Sequence, residues 1–284
     1  MSNGFAATAG RRLSPAAVRA ALTGPGGFWG EIAVIAQTGS TNEDILAAAR
    51  RGKPEGTVLV AESQTRGRGR LGRRWVTSPG SALACTVLLR PDASVPVAAR
   101  GWVPLLAGVA VATAVREVAG VDARLKWPND VLAAGGKLAG ILAEQHGSAI
   151  AVGVGLNVTT LAGELPPGAT SLALCDASCT DRTLLLAGLL SRLERWYLRW
   201  SKAAGDPATS GLREEYLRLS GTVGRDVRVS LPGGRQLSGT AASVDTAGRL
   251  LVAVPATPVP ATPRPGQAAE ELVAVSAGDV IHVR

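Results

Sequence analysis

Gly67-Arg68-Gly69-Arg70-Leu71-Gly72, followed by Arg73-Arg74-Trp75-Val76-Thr77-Ser78-Pro79-Gly80, is the stretch of sequence that decides the fold class. Its glycines match the pattern GxGxxG, and the apolar residues 57–61 before it are typical of a strand, as in a dinucleotide-binding βαβ unit. That unit requires a helix directly after the glycines. Residues 73–80 do not start one, because they lead into Pro79 and Gly80. The sequence therefore excludes a Rossmann site.

What remains is a glycine-rich loop with five arginines: Arg66, Arg68, Arg70, Arg73 and Arg74. Glycines let backbone N–H groups approach an anion closely, and a guanidinium fork matches the oxygens of a phosphate. The loop is thus compatible with a clamp for nucleotide phosphates, with an arginine-glycine segment that binds nucleic acid, or with a solvated basic loop. Nucleic-acid binding would favour interleaved aromatic residues, and Trp75 alone is present.

Apolar periodicity on both sides of the loop predicts further strands and helices. Strand spacing occurs at residues 32–36, 57–61, 82–89, 121–125, 138–144 and 149–155. Helical spacing occurs at residues 16–22, 42–51, 103–119, 182–202 and 210–219. Ser14-Pro15 is typical of a helix start, and Asp181 is a plausible N-cap for the helix over 182–202. After Ser220, short alternating strands with turns at 232–234 and 245–248 predict a small all-β barrel.

Composition narrows the class of protein. With 46% hydrophobic residues the chain has ample material for a core, and its net charge of +8 would attract phosphates or an acidic partner. Three cysteines, an odd number, argue against a disulfide scaffold and favour a reducing compartment. The N-terminus lacks the apolar segment of a signal peptide, and the apolar residues 102–115 are too few to cross a bilayer. We therefore expect a soluble, cytoplasmic protein.

Lys126-Trp127-Pro128-Asn129-Asp130 is the most unusual motif in the chain. Proline fixes its own φ and pushes the residue before it into an extended conformation, so the segment reads as a rigid turn at the end of a strand. Such a turn presents Asn129 and Asp130. An asparagine amide donates and accepts at once and can pair with the edge of an adenine, although Asn-Asp is also common in ordinary turns.

Three other motifs carry polar groups next to glycines or a helix start. Lys137-Leu138-Ala139-Gly140 begins a strand, and because Leu138 follows the lysine it is not a P-loop. Gly153-Val154-Gly155-Leu156-Asn157 is strand-like, and its glycines permit close approach of a ligand. Ser40-Thr41-Asn42 precedes a helix. A capping box of Ser40 with Glu43, or of Thr41 with Asp44, would explain it, and so would a small polar ligand.

In their order and spacing, these motifs resemble those of the biotin protein ligases. The resemblance runs from about residue 37 to residue 157 and extends more loosely to the C-terminus. It implies an α+β fold with a mixed sheet backed by helices, followed by a small SH3-like β-barrel. We accordingly expect an N-terminal extension at 1–30 that is partly disordered, a catalytic domain at 31–220, and an SH3-like domain at 221–284 with a Pro-rich loop at 255–268.

The resemblance also implies the reaction and its residues. ATP and biotin are substrates that give biotinyl-5′-AMP, and biotin then passes to a lysine of the biotin carboxyl carrier domain of an acyl-CoA carboxylase. Lys137, Arg68 and Arg70 are the implied catalytic residues. Biotin would contact Ser40, Thr41, Asn42, Gln64, Arg68, Gly69, Arg70 and Lys137. The nucleotide would contact Asn129, Asn157, Arg70 and Trp75. Asp130 is a candidate for orienting or deprotonating the acceptor amine.

Physical chemistry is consistent with those roles. Repulsion opposes the approach of a carboxylate to the α-phosphate, and a fixed cation offsets it most during the attack. A loop that orders over the adenylate would exclude water, and the loop's glycines suit that change. We expect Mg²⁺ to be held mainly by the phosphates, and we predict no protein metal site.

Two alternatives and one departure from the family follow from the sequence. A lipoate or octanoate attachment enzyme shares the fold, but its pocket has to take a linear chain. A nucleic-acid-binding protein would use the arginine loop, yet no recognised binding fold accompanies it. About 36 residues precede the first motif, too few for the winged helix-turn-helix of ligases that are also repressors. We therefore expect no specific DNA binding and no membrane association.

Overall fold

The computed structural model describes residues 12–22, 27–231, 233–255, 270–276 and 278–283. Its helices are α1 (Pro15–Ala21), α2 (Thr41–Arg50), α3 (Trp102–Ala114), α4 (Arg182–Lys202) and α5 (Leu212–Leu219). Its strands are β1 (Ile32–Ile35), β2 (Val58–Ala61), β3 (Ala82–Leu89), β4 (Arg124–Lys126), β5 (Asp130–Ala133), β6 (Gly136–His146), β7 (Ala149–Asn157), β8 (Asp226–Ser230), β9 (Gln236–Val244), β10 (Leu250–Pro255), β11 (Glu270–Val275) and β12 (Asp279–His282).

The first seven strands form one mixed sheet in the order β1-β2-β3-β7-β6-β5-β4. β1 and β2 are parallel, and all the other neighbours are antiparallel. This confirms the expected α+β architecture. In the centre of the sheet, Gly155 of β7 lies opposite Ala84 of β3 on one side and opposite Gly140 of β6 on the other. Two glycines from the predicted motifs therefore meet on adjacent strands.

The two faces of this sheet are covered differently, because successive strand residues point to opposite sides. Val87, Leu89 and Val152 belong to the large core that contains α3 and α4. Leu88 and Ala151 instead pack with α2 in a small separate cluster. Burial of large apolar side chains contributes about 1.5–3 kcal/mol each, so the α3 face carries most of the stability. The face covered by α2 is left partly open, and the cavity described below lies there.

The helical run Val97–Ala119 contains α3 and is the one candidate membrane span among the described residues. Its 23 residues are long and apolar enough to cross a bilayer, so the argument that this stretch is too short was wrong. In the structure 72% of the most apolar 18-residue segment of this run is buried inside the protein, and so are twelve residues of α3. We therefore regard it as the core helix of the catalytic domain.

Helix starts agree with the sequence at two of three sites. Asp181 accepts hydrogen bonds from the backbone N–H groups of Thr183 and Leu184, and Ser14 accepts one from Ala17. The capping box proposed for α2 was wrong, because Ser40 makes no side-chain capping bond. Its presumed partners are used elsewhere: Thr38 donates to Asp44, and Glu43 pairs with arginines of the loop. The hydroxyls at the start of α2 are thus available for another role.

The C-terminal strands form a five-stranded antiparallel sheet in the order β11-β10-β9-β8-β12. The predicted 220/221 boundary falls between α5 and β8. Trp102 Nε1 donates to Asp245 O and Trp127 Nε1 donates to Gly248 O, each at 3.0 Å, which docks the β9–β10 turn on the catalytic domain. The described residues after α5 thus form the antiparallel strands that the sequence predicts, whereas the domain bounds and the SH3-like topology stay predictions. The predicted Pro-rich loop after Pro255, and residues 1–11 and 23–26 of the extension, lie outside the described residues.

One strand was not predicted. Residues 130–133 form β5, which pairs with β4 on one side and with β6 on the other, and β4 covers only the end of the segment predicted at 121–125. The Lys126–Asp130 motif is therefore the turn of a hairpin rather than a loop after a single strand. This places Asn129 at the tip of the turn, and places Asp130 directly opposite Gly140 of β6.

Candidate active site

A cavity of about 490 Å³ lies over β3, β7 and β6, between the start of α2 and the arginine-rich loop. With the exception of Asp130, every residue that the sequence singled out lines it: Ser40, Thr41, Asn42, Gln64, Arg68, Gly69, Arg70, Trp75, Asn129, Lys137 and Asn157. These residues come from six separate segments of the chain. Their convergence in one cavity supports the choice of residues, although what each of them binds remains a prediction.

Two glycines of β7 form the floor of the cavity and admit side chains that no larger residue would allow. A Cβ at Gly153 would lie 2.2 Å from Oδ1 of Asn42, and a Cβ at Gly155 would lie 2.4 Å from the indole of Trp75. Neither glycine has a positive φ, so the requirement is for space and not for backbone conformation. The sequence had predicted close approach at these positions, and the close neighbours are the protein's own side chains.

The inner end of the cavity is a buried chain of polar groups. Gln64 Oε1 accepts from the backbone N–H of Thr41 at 2.9 Å and lies 3.1 Å from its hydroxyl. That hydroxyl is 2.7 Å from Oγ1 of Thr86, which is in turn 2.7 Å from Oδ1 of Asn42. The amide oxygens of Gln64 and Asn42 at the two ends of this chain can only accept. The hydroxyl protons of Thr41 and Thr86 are therefore the two protons available for three oxygen–oxygen contacts. This end of the cavity is therefore short of donors and favours a ligand that brings N–H groups.

Thr86 is a supporting residue that contacts Thr41 and Asn42 without lining the cavity itself, and the sequence did not reveal it because it lies within the apolar strand β3. Glu144 is a second one. Its Oε2 accepts from Nδ2 of Asn42 at 2.8 Å, and the same amide nitrogen donates to Leu142 O at 3.0 Å. The Asn42 amide is thus held by protein partners on both its nitrogen and its oxygen. It shapes the cavity wall together with Thr41, whereas the Ser40 side chain makes no capping bond to α2.

The arginine-rich loop between β2 and β3 folds into a short antiparallel hairpin over residues 67–75, which we call the arginine hairpin. Trp75 N donates to Gly67 O at 2.9 Å, and Gly69 N donates to Arg73 O at 2.6 Å. The tip at Leu71 has a φ of 56° and its side chain is 74% exposed. A single 3₁₀ turn replaces the helix that a dinucleotide-binding motif would require. The hairpin lays the Trp75 indole on the glycine floor.

Ion pairs hold the arginine hairpin at both ends. Arg68 Nη2 lies 3.2 Å from Glu43 and 3.3 Å from Glu144. Arg73 Nη2 lies 2.6 Å from Asp279 of the C-terminal strand β12. The hairpin is therefore connected to the catalytic domain through one arginine and to the C-terminal domain through another.

Lys137 occupies the middle of the cavity. Its Nζ lies 2.6 Å from Asp130 Oδ1 and 5.9 Å from the centre of the Trp75 ring. Its backbone is fixed by bonds to segment 168–170: Lys137 N donates to Gly168 O, and Thr170 N donates to Lys137 O. The hairpin pairing of β5 with β6 brings Asp130 into contact with the lysine. A half-buried, positioned cation is thus ready to bind anionic groups.

The outer end of the cavity carries the two asparagines predicted for the nucleotide. Asn157 Nδ2 donates to Thr170 O at 2.9 Å, which fixes the orientation of the amide beside the cavity. Asn129 Nδ2 donates to Ile141 O at 2.8 Å, and its oxygen accepts from Arg70 at 3.3 Å. Burial lowers the pKa of Arg70, an effect that the carboxylates of Asp279 and Asp130 oppose.

The loop after β7 closes this outer end, although it was not predicted to be part of the site. Leu165, Pro166, Pro167 and Ala169 line the cavity, and Ser78 at the end of the arginine loop donates to Glu164. The two loops that border the opening are therefore linked. Among the described residues no group of three or more histidines, cysteines or carboxylates converges on a metal site.

Comparison with known proteins identifies the family. The model of the biotin/lipoate A/B protein ligase family matches residues 34–160. The chain is 42% identical over 276 residues to the biotin–[acetyl-CoA-carboxylase] ligase of Mycobacterium tuberculosis, covering 96% of each protein. It is 33% identical to the enzyme of the same name from Paracoccus denitrificans, covering 78% of this chain and 94% of that one.

A solved structure agrees with the fold. The biotin protein ligase from Aquifex aeolicus in complex with biotin and ATP superposes with a TM-score of 0.70 at 23% identity, covering 89% of this chain and 100% of that one. At that identity the likeness speaks for the fold alone. The sequence relatives carry the assignment further, because two of them exceed 30% identity over most of their length. The chain belongs to the biotin protein ligases, within the biotin/lipoate A/B protein ligase family.

Proposed function

We propose that this chain is an ATP-dependent biotin protein ligase. It activates biotin as biotinyl-5′-AMP and transfers it to a lysine of a biotin carboxyl carrier domain. The observation that carries the proposal is the position of Lys137 in the cavity, between a donor-poor polar end and the asparagine Asn157. One cavity thus offers acceptors for a neutral N–H donor at one end, an asparagine for a nucleobase at the other end, and a cation between them.

The inner end suits the ureido ring of biotin. Its two N–H groups supply the donors that the chain of Gln64, Thr41 and Thr86 lacks, and the hydroxyls of Ser40 and Thr41 face the ring. A buried acceptor without a donor costs about 1–3 kcal/mol, so a ligand without N–H groups would be disfavoured here. This is the physical argument against lipoate or octanoate, whose acyl chains end in no such donor.

Adenylation brings together two anions. A carboxylate oxygen of biotin attacks the α-phosphorus of ATP, the bond to the bridging oxygen breaks, and pyrophosphate leaves with its electron pair. Lys137, Arg68 and Arg70 line the same cavity, and we propose that these cations reduce the repulsion between the two anions. ATP enters as its magnesium complex, and the phosphates provide most of the metal's ligands.

Transfer follows in the same cavity. The amine of the acceptor lysine attacks the carbonyl carbon of the mixed anhydride, AMP leaves, and the amine loses a proton. Asp130 pairs with Lys137, so its first role is to hold that lysine. We retain as a proposal that Asp130 takes part in orienting or deprotonating the incoming amine. An Asp130→Asn variant with a normal transfer rate from purified adenylate would rule it out.

The names of the relatives support the choice of acceptor. The Mycobacterium tuberculosis and Paracoccus denitrificans proteins are both named for acetyl-CoA carboxylase, and we propose an acyl-CoA carboxylase as the partner here. We further propose that the C-terminal sheet is SH3-like and that the enzyme acts in the cytoplasm. We propose no role for DNA or a membrane.

The test is biotin-dependent exchange of radioactive pyrophosphate into ATP, with wild type beside Lys137→Ala. We expect exchange with biotin, none with lipoate or octanoate, and a loss of about 10²–10³-fold in the variant. Labelling of a purified carrier domain by the wild type completes the assignment. Equal exchange with lipoate would favour the acyl-attachment enzyme, and absence of exchange with any acid would reject both.

A further inference from the structure

We propose that Glu144 is a positioning residue of the ligase reaction, and that it joins the arginine hairpin to the polar end of the cavity. The kinetic part of this inference rests on the proposed function. Glu144 lies near the end of β6 and its carboxylate is divided between two partners. Oε2 accepts from Asn42 at 2.8 Å, and Oε1 pairs with Arg68 at 3.3 Å.

On one side, Glu144 reaches the groups that face the ring of biotin. The Asn42 amide that it holds accepts from Thr86, and Thr86 contacts the hydroxyl of Thr41. Loss of the carboxylate would free one proton of the Asn42 amide. The amide would then be able to rotate, and the acceptor pattern of the inner end would change with it.

On the other side, Glu144 reaches the arginine hairpin. A single nitrogen of Arg68 lies between Glu144 and Glu43, and the three side chains are between 29% and 44% exposed. The guanidinium of Arg68 offsets the repulsion between the two carboxylates. Each carboxylate therefore contributes to holding Arg68 in place. Backbone hydrogen bonds within residues 67–75 connect Arg68 to the rest of the hairpin, so an ion pair that holds Arg68 also restrains Arg70 and Trp75.

Glu43 and Glu144 differ in a way that makes the inference testable. Glu43 pairs with Arg68 and, at 3.7 Å, with Arg66, and so contacts the hairpin side alone. Glu144 contacts the hairpin and the cavity wall. Asn42 and Arg68 contact different oxygens of Glu144, and glutamine at 144 keeps the size of the side chain but replaces one oxygen by an NH₂, which would face one of these two donors. Glu144→Gln should therefore disturb both sides, and Glu43→Gln only one.

The first experiment requires no ligand. Trypsin is added to wild type, Glu144→Gln, Glu43→Gln and the remote control Glu215→Gln, and fragments cut within residues 66–74 are quantified by mass spectrometry. We expect cleavage about tenfold faster in Glu144→Gln and about threefold faster in Glu43→Gln, with no change in the control. The inference is overturned if Glu144→Gln is cut at the wild-type rate, whether or not the protein proves to be a ligase.

The second experiment uses pyrophosphate exchange to test whether Glu144 links the arginine hairpin to biotin binding. We expect the KM for biotin to rise about tenfold in Glu144→Gln and about threefold or less in Glu43→Gln, with kcat retained in both. Added NaCl should raise the rate of adenylate release in wild type more than in Glu144→Gln, since salt screens the ion pair. An unchanged KM in Glu144→Gln, or an equal rise in both variants, contradicts the inference. Wild type without biotin-dependent exchange would instead overturn the proposed function.

Discussion

The cavity has two walls that are held in different ways. The strand wall, made by β6 and β7, is fixed by continuous backbone pairing from Ala139 opposite Leu156 to His146 opposite Ala149. The arginine hairpin is attached mainly by side-chain ion pairs of Arg68 and Arg73, which are between 29% and 60% exposed. Exposed ion pairs contribute about 0–1 kcal/mol each, whereas breaking sheet pairing disrupts many bonds at once.

This difference assigns different tasks to the two walls. A rigid strand wall can recognise the shape and the hydrogen-bond pattern of a ligand. A weakly held hairpin can open to admit substrates and then exclude water from the adenylate. Changes in the strand wall should therefore alter binding in a way that the hairpin cannot relieve. Changes in the hairpin should alter how long intermediates are retained.

The largest effect is expected for Gly153→Ala in the strand wall. The new methyl group would lie 2.2 Å from Oδ1 of Asn42, and this amide is held by Thr86, Leu142 and Glu144. Overpacking of this kind costs about 1–3 kcal/mol, so we expect the biotin KM to rise about 10- to 100-fold in pyrophosphate exchange. Gly163→Ala is the control, because a methyl group there meets nothing within 4 Å. A normal KM in Gly153→Ala would show that the wall is not rigid.

A smaller effect is expected for Gly155→Ala, because its obstacle belongs to the hairpin. The added methyl would lie 2.4 Å from the indole of Trp75, which is able to move away with the hairpin. We expect about three- to tenfold faster release of the adenylate, measured by filter retention. In the double variant with Trp75→Ala, Gly155→Ala should add no further loss, since the clash is gone. If the two changes instead add in full, the clash is not what displaces the hairpin.

The two walls also differ in how well the sequence revealed them. Glycines at 140, 153 and 155, the hairpin arginines and Lys137 were all identified, because each motif is local. Thr86 and Glu144 were missed, because they join the site through contacts with Asn42 that are 44 and 102 residues distant in sequence. β5 was missed since four residues between two turns give too little periodicity. The capping box was wrong because Glu43 pairs with Arg68 and Asp44 accepts from Thr38.

A still smaller effect is expected for Asp279→Asn, which weakens the hairpin from the C-terminal domain. Asp279 pairs with Arg73 at 2.6 Å, and both side chains are largely exposed. We expect adenylate release to be about two- to threefold faster at low salt, and the difference to vanish near 1 M NaCl. Asp122→Asn, which removes an exposed ion pair with Arg116 away from the cavity, is the matched control. A difference that persists at high salt would contradict an electrostatic attachment.

The smallest effect concerns His282, which lies on the same strand as Asp279 but is linked through Thr222 to the turn between β4 and β5. Its Nε2 is 3.1 Å from Oγ1 of Thr222, and that oxygen accepts from the backbone N–H of Trp127 in the turn that carries Asn129. Burial lowers the pKa of His282, and the nearby charges of Lys126 and Arg225 lower it further. The unfolded chain therefore binds this proton more readily than the folded protein does.

Stability should consequently fall as the pH drops below the histidine's unfolded value of about 6.5, because the unfolded state takes up more protons there. In urea titrations between pH 7.5 and 5.5, His282→Gln should lose part of the wild-type pH dependence. The loss should exceed that in the control His146→Gln, whose histidine is at the exposed end of β6. Equal slopes in wild type and His282→Gln would mean that Thr222 holds the Trp127 turn regardless of the charge on the histidine. In that case Asp279, and not His282, would be the residue of β12 through which the C-terminal domain affects the cavity.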